Sequence, residues 1–323
     1  LVNGIRFIQE GSRETPGVSM QLNRRQLVGS IAIGSLSALV PKFVRAQVAP
    51  LTRTIPSSGQ ALPIVGLGSW ITFNVGDDPV ARHSSAEVMR AFFDCGGRMI
   101  DSSPMYGSAQ EVIGYCLRKT GNAANVFATD KVWIANGDEG PEQIERTRAL
   151  WGIDRFDLLQ VHNLVAWEAH LDTLKAMKDE GKLRYVGITT SHGRRHDELE
   201  DIMRKHELDF VQLTYNIADR QVEDRLLPLA QEKGVAVIAN RPFRRKELIH
   251  RFEEEKLPDW AGEIGAASWA QFLLKFVIAH PAITCAIPAT TRVDHVCENL
   301  ESARAPLPDE EMRQRMVAYI REL

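Results

Sequence analysis

Four ionisable side chains stand at or just beyond the ends of three successive short apolar runs. Asp101 closes Met99-Ile100-Asp101, Tyr106 sits in the loop that follows, Lys131 comes after Ala128-Thr129-Asp130, and His162 closes Leu159-Gln160-Val161-His162. Taken singly, each has an ordinary use: Asp101 as a helix cap, Tyr106 as a loop aromatic, Lys131 as a surface charge, His162 as a hydrogen-bonded interior histidine. Taken together they suit the reduction of a carbonyl, whose oxygen needs a proton as hydride reaches its carbon. A phenol, which in water holds its proton up to about pH 10, becomes a usable acid only when its anion is stabilised, and an adjacent Lys131 ammonium would do this. Asp101 would hold that lysine charged, since a buried lone ammonium loses its proton. His162 would donate to, or orient, the carbonyl oxygen.

Such a quartet converges only if the chain returns three strand ends to one place. From Pro63 onward, short β-branched or apolar runs alternate with amphipathic stretches, the pattern of a parallel sheet covered by helices. The strand candidates are 64–68, 99–102, 126–129, 158–161, 185–188, 210–213, 235–239 and 283–287. Helical patterns follow at 79–95, 110–118, 141–151, 167–180, 195–205, 222–233, 266–279 and 293–302. Eight such units predict a (β/α)8 TIM barrel, whose chemistry lies where strands end and βα loops begin. A hairpin over 53–63, turning at Ser57-Ser58-Gly59, would cap the opposite end. The long connection 244–265 after the seventh strand is large enough to cover the mouth. Residues 308–323, with Met312, Met316 and Ile320 on one face, read as a final packing helix.

Within that frame the sequence resembles the aldo-keto reductase superfamily over roughly residues 51–303. Gly66-Leu67-Gly68-Ser69-Trp70, Ile100-Asp101-Ser102-Ser103-Pro104-Met105-Tyr106-Gly107, Thr129-Asp130-Lys131-Val132-Trp133 and Asp157-Leu158-Leu159-Gln160-Val161-His162 are similar to its strand-one turn and its Asp, Tyr, Lys and His motifs, in order. Gly181-Lys182-Leu183-Arg184-Tyr185-Val186-Gly187-Ile188 resembles its approach to strand five. The resemblance implies that Asp101, Tyr106, Lys131 and His162 are catalytic, that Gln212 bonds a nicotinamide carboxamide, and that Ser69 and Trp70 lie beside the cofactor. It also implies that Ile287-Pro288-Ala289-Thr290-Thr291-Arg292, with His295, Glu298 and Asn299, holds the adenosine phosphate.

Departures from the family pattern bear on the cofactor. Thr189-Thr190 replaces the Ser-Asn common after strand five. At the end of strand seven, where an aromatic residue usually stacks on the nicotinamide, the chain reads Asn240-Arg241-Pro242-Phe243; Tyr215 on strand six is a substitute for stacking, or a packing residue. In the phosphate loop the usual basic residue is Ala289 and the usual arginine is His295, while Arg292 is new. NADP(H) is favoured, with Arg292 pairing with the 2′-phosphate and Thr290 donating to it, and NAD(H) is the alternative. After Phe243, Arg244-Arg245-Lys246 follows where the family's loop passes the pyrophosphate, and reads as a phosphate contact or a solvated basic turn; Trp70 and Trp133 match aromatic positions of the substrate pocket, or pack in the core.

The N-terminal 46 residues read as an address. Arg24-Arg25 precedes an uncharged apolar run over 27–40 and the small-residue site Val44-Arg45-Ala46, the order of a signal peptide, and the paired arginines resemble a twin-arginine (Tat) signal. Met20 is a candidate true start. The run of about 14 residues is shorter than the roughly 20 of a permanent membrane span. The expectation is therefore export through the Tat machinery to the periplasm, cleavage after Ala46, and a single barrel domain over 47–323. That segment carries six Lys/Arg against two Asp/Glu, so the remainder has 33 against 40, a charge of −7 that disfavours nucleic acid as a partner. Cys95, Cys116, Cys285 and Cys297 form no Cys-x-x-Cys pair and read as buried thiols, and no metal is expected.

Three functions fit this reading: a reductase acting on a small carbonyl or alcohol; a barrel with tightly bound NADP carrying out internal redox or epimerisation of a sugar-like substrate; and a non-catalytic periplasmic binding protein.

Overall fold

The protein was analysed as a computed structural model that describes residues 49–323; the export address expected over residues 1–46 lies outside them. Eight parallel strands pair in chain order: β3 (Leu67–Gly68), β4 (Met99–Asp101), β5 (Phe127–Val132), β6 (Phe156–Val161), β7 (Leu183–Thr189), β8 (Phe210–Thr214), β9 (Ala236–Asn240) and β10 (Ile283–Ala286). The ring closes where Gly66 N donates to Ala286 O at 2.8 Å, Ala286 N to Ile64 O at 2.9 Å and Gly68 N to Pro288 O at 2.9 Å. This is the expected (β/α)8 barrel. The first strand is shorter than expected, with ladder pairing at only Leu67 and Gly68, and it meets the last strand through a single bridge, Val65 to Ala286.

Alternation along each strand sorts side chains between two cores. Inward residues Met99, Phe127, Leu158, Tyr185, Phe210, Ala236 and Ile238 form the lower interior of the ring. Outward residues such as Ile100, Ala128, Leu159, Val186, Val211 and Val237 form a larger core beneath the helices. Each fully buried Leu, Ile, Val or Phe contributes roughly 1.5–3 kcal/mol, so the outer core supplies most of the apolar stabilisation. The hairpin forms as expected, β1 (Thr52–Thr54) pairing with β2 (Ala61–Pro63), and it plugs the bottom of the ring. Ile55 and Leu62 join the inner core, and the Tyr185 hydroxyl donates to Gln60 Oε1 at 2.9 Å.

The helices are α1 (Pro79–Asp94), α2 (Ala109–Thr120), α3 (Gly140–Trp151), α4 (Trp167–Asp179), α5 (His196–Lys205), α6 (Leu226–Lys233), α7 (Glu247–Phe252), α8 (Trp269–Ala279), α9 (Val293–Glu301) and α10 (Glu310–Glu322). Local chemistry fixes several starts. Asp78 Oδ1 accepts from Val80 N and Ala81 N with Pro79 in the first turn, and Asp309 accepts from Met312 N. Helix α8 begins three residues later than the apolar pattern suggests, because Ser268 caps Gln271 N. The connection 244–265 carries α7 and a 3-10 turn, Asp259–Ile264, rather than open loop. In α10, Met316 and Ile320 are buried and Met312 half-buried, as a packing stripe requires. Among the described residues no helix is long and apolar enough to cross a membrane.

Candidate active site

The inward parity of β4 and β5 brings Asp101 and Lys131 together inside the ring. Lys131 Nζ donates to Asp101 Oδ2 at 2.6 Å and to Ser102 O at 2.7 Å, both side chains being out of solvent. Two further strands complete the carboxylate's shell: Gln212 Nε2 donates to Asp101 Oδ1 at 2.9 Å and Gln160 Nε2 at 3.4 Å. Burial alone pulls the Lys131 ammonium down, but Asp101 and the Tyr106 oxygen more than offset it and hold the ammonium above its ordinary range.

Tyr106 rides on a 3-10 turn, Pro104–Tyr106, that Ser103 starts and Gly107 ends at φ 62°. A side chain at 107 would also collide with Asn74, whose Oδ1 holds Ser108 N at 2.9 Å. The phenol ring is thus fixed 5.1 Å from Lys131 Nζ and 5.8 Å, edge to face, from the His162 ring. Burial pushes the phenol up and the Lys131 charge opposes that shift. His162 is 4% exposed, and burial together with Lys131 drives its pKa down to about 2, so the imidazole is neutral. Its Nδ1 lies 2.7 Å from Ser103 Oγ.

Asp101, Tyr106 and His162 form one wall of a cavity of about 410 Å³ at the C-terminal mouth of the barrel, with Lys131 behind that wall. Asp101, Tyr106, His162, Gln212 and Thr189 line its depth, and Ser69, Trp70, Asn240, Phe243 and the segment Ile287-Pro288-Ala289 its flank. Asn240 belongs to an amide cluster, with Nδ2 donating to Thr190 O at 3.0 Å and to Gln212 Oε1 at 3.4 Å. Tyr215 is not a stacking residue for this cavity. It falls on the outward side of β8, one position out of phase with Gln212 and Thr214, and its hydroxyl is bonded to Glu223 and Arg313.

Other expected residues stand further off. Arg244 turns away to Asp219, with Nε 2.7 Å from Oδ2, and to Glu247. Its neighbours Arg245 and Lys246 line the cavity instead, and the Arg245 guanidinium stacks 4.3 Å above the Trp70 ring. Trp133 lies outside the cavity wall, 40% exposed, with its ring 6.4 Å from that of His162. Thr290, Thr291, Arg292, His295, Glu298 and Asn299 cluster beyond the cavity around the start of α9. There Arg292 is exposed and bonded through two nitrogens to Asp294, Thr290 Oγ1 accepts from Arg292 N at 3.1 Å, and Glu298 accepts from Ser268. Asn299 is buried.

Sequence reasoning passed over Ser103, Gln160 and Arg241. Gln160 carried a signal, since it lies two residues before His162 on the same inward face. Arg241 lines the cavity, and its Nε and Nη1 are buried without a hydrogen-bond partner among the described residues; Thr190 Oγ1, outside this cavity's lining, is likewise buried and unpartnered. Buried N–H groups of a cation call for an anion, and the amides of Gln212 and Asn240 at the cavity can bond a polar group such as a carboxamide. The cavity flank therefore fits the phosphates and the carboxamide of a nicotinamide dinucleotide.

Comparison with known proteins agrees with this geometry. Methylglyoxal reductase YeaE of Escherichia coli is 27% identical over 270 residues, covering 81% of this chain and 93% of that protein. The NADH-specific methylglyoxal reductase of the same organism is 25% identical over 233 residues, 61% of this chain and 68% of its own length. An aldo-keto reductase of Klebsiella pneumoniae solved with NADPH superposes with a TM-score of 0.68 at 25% identity, covering 84% of this chain and 95% of that one. The sequence pattern described as the Aldo/keto reductase family matches residues 64–318, from ahead of the first barrel strand into the last helix. The chain belongs to the aldo/keto reductase family.

Proposed function

We propose that the protein is an NAD(P)H-dependent reductase of an aldehyde or ketone in which Tyr106 delivers the proton. The observation that carries this reading is the buried Lys131–Asp101 pair set beside a phenol and a neutral imidazole on one cavity wall. The dinucleotide supplies the hydride. In this reading Gln212, Asn240 and Thr189, all in the cavity lining, hold its carboxamide, and Arg241, Arg245 and Lys246 its phosphates.

The remaining steps belong to the chain's own side chains. Neutral His162 carries one ring proton, which a carbonyl oxygen in the cavity accepts as a hydrogen bond that strengthens as negative charge builds there. Tyr106 gives its proton to the same oxygen. The Lys131 cation stabilises the phenolate that remains, and Asp101 keeps the cation in place through a bond that Gln160 and Gln212 brace. Aromatic Trp70 and apolar Met105 at the cavity face suit a substrate with an apolar or planar side.

NADP(H) is the favoured cofactor of this reading, with Arg292 and Thr290 at the 2′-phosphate, and NAD(H) is the alternative. The reading includes export: residues 1–46 act as a Tat signal that delivers the barrel to the periplasm. The experiment is to follow oxidation of NADPH and NADH by the purified protein with a reactive carbonyl such as a nitrobenzaldehyde. Sustained turnover with either dinucleotide supports the proposal; tight dinucleotide binding without turnover on any carbonyl would sink it.

A further inference from the structure

Cys116 and Cys285 are fully buried, as the sequence suggested for all four thiols, but Cys95 and Cys297 are half-buried and their sulfurs face each other 2.8 Å apart. They are 202 positions apart in the chain. Cys95 is the C-cap of α1 and Cys297 lies midway along α9, so they come from the first and the last helix of the helical ring, which pack side by side across the line where the barrel closes.

The geometry points to a disulfide site: Cys95 and Cys297 exchange with an oxidised thiol reagent, a small-molecule or protein disulfide, and become covalently joined. One sulfur attacks the reagent as a thiolate, forms a mixed disulfide and releases one reduced thiol; the second then displaces the other half of the reagent. The two cysteines give up two electrons and two protons, and the reagent leaves as two thiols. An S–S bond of about 2.05 Å requires a further short approach of two sulfurs that already face each other.

Position gives the bond its effect. At the closing line the first and last strands meet through a single bridge, Val65 to Ala286, rather than through a continuous ladder. A cross-link over so long a loop removes much freedom from the unfolded chain. It would also anchor α9, whose first turn carries Arg292 and His295, to the helix following the first strand.

The test uses the full barrel, purified reduced and then treated with excess oxidised glutathione. Free thiols are blocked and the product is read by intact mass and peptide mapping. The expected product is lighter by two hydrogens, carries one Cys95–Cys297 linked peptide, and leaves Cys116 and Cys285 unmodified until the protein is denatured. Its thermal midpoint should rise by roughly 5–15 °C over the reduced form, and this rise should vanish in Cys297→Ser and in Cys95→Ser. Glutathione left as stable adducts on either cysteine, a linkage involving Cys116 or Cys285, or an unchanged thiol count would overturn the inference. The mass measurement on the unaltered protein decides the matter even if neither variant folds.

Discussion

Ser103 Oγ and His162 Nδ1 lie 2.7 Å apart in a buried contact that fixes the orientation of the imidazole ring. The serine oxygen also accepts from Met105 N at 3.2 Å; the proposed mechanism needs the serine hydroxyl to donate to Nδ1, which leaves the proton of the neutral ring on Nε2. Ser103→Ala should lower kcat roughly 10-fold, the worth of one hydrogen bond of about 1.4 kcal/mol, while dinucleotide affinity stays the same. Ser103→Thr should restore most of the rate. Steady-state kinetics paired with fluorescence quenching by NADPH would check this, and a parallel loss of cofactor binding would count against the assignment.

Tyr106→Phe removes only the hydroxyl, so folding and dinucleotide binding should survive while kcat falls about 10²–10⁴-fold. Lys131→Met should cost a comparable factor, because a phenol already pushed up by burial loses the charge that opposes the shift. Acting as a unit, the two changes together should be little worse than either alone. A Tyr106→Phe protein that turns over at the unaltered rate would remove the proton donor.

Acid should destabilise the barrel through its buried histidines. His162 is depressed to about 2 and His280 to about 4, both below the ordinary value of 6.5, and burial is the main cause in each. A depressed base is neutral in the folded state but binds a proton when the chain unfolds. Its contribution is therefore complete above pH 6.5 and is lost as pH falls, by at most about 1.4 kcal/mol per pH unit for each group. Urea titrations at pH 7.5 and 5.0 should show this loss, and His162→Gln should show a smaller one.

Cofactor choice should turn on Arg292 and its partner. Asp294 occupies the guanidinium through two nitrogens, so a 2′-phosphate must compete with a carboxylate already in place. Arg292→Ala should weaken NADPH selectively by about 1–3 kcal/mol, and Asp294→Asn should strengthen NADPH relative to NADH. Equal changes for the two dinucleotides would show that neither residue reads the phosphate.

The barrel was legible because eight apolar runs alternate with amphipathic ones, and a strand end needs no fine placement to bring Asp101, Lys131 and His162 inward. What sequence spacing could not resolve was orientation after each strand. Tyr215 fails as a stacking residue by a single step of strand parity. Within Arg244-Arg245-Lys246, backbone in the left-handed region at all three residues sends Arg244 to Asp219 and Arg245 across the mouth to Trp70. Ser103 gave no signal at all, because a serine in a loop looks alike whether it faces solvent or an imidazole.

The hairpin plug sets a limit on processing at the N-terminus. Leu51 N bonds to Ala303 O at 2.7 Å, and only a few residues beyond it Ile55 and Leu62 sit among Phe127, Tyr185 and Phe210 inside the ring. Cuts extending past Pro63 would therefore uncork the barrel and wet an aromatic floor. Nested truncations should lose the cooperative melting transition abruptly once Ile55 and Leu62 are removed, because the floor of the ring is then open to water.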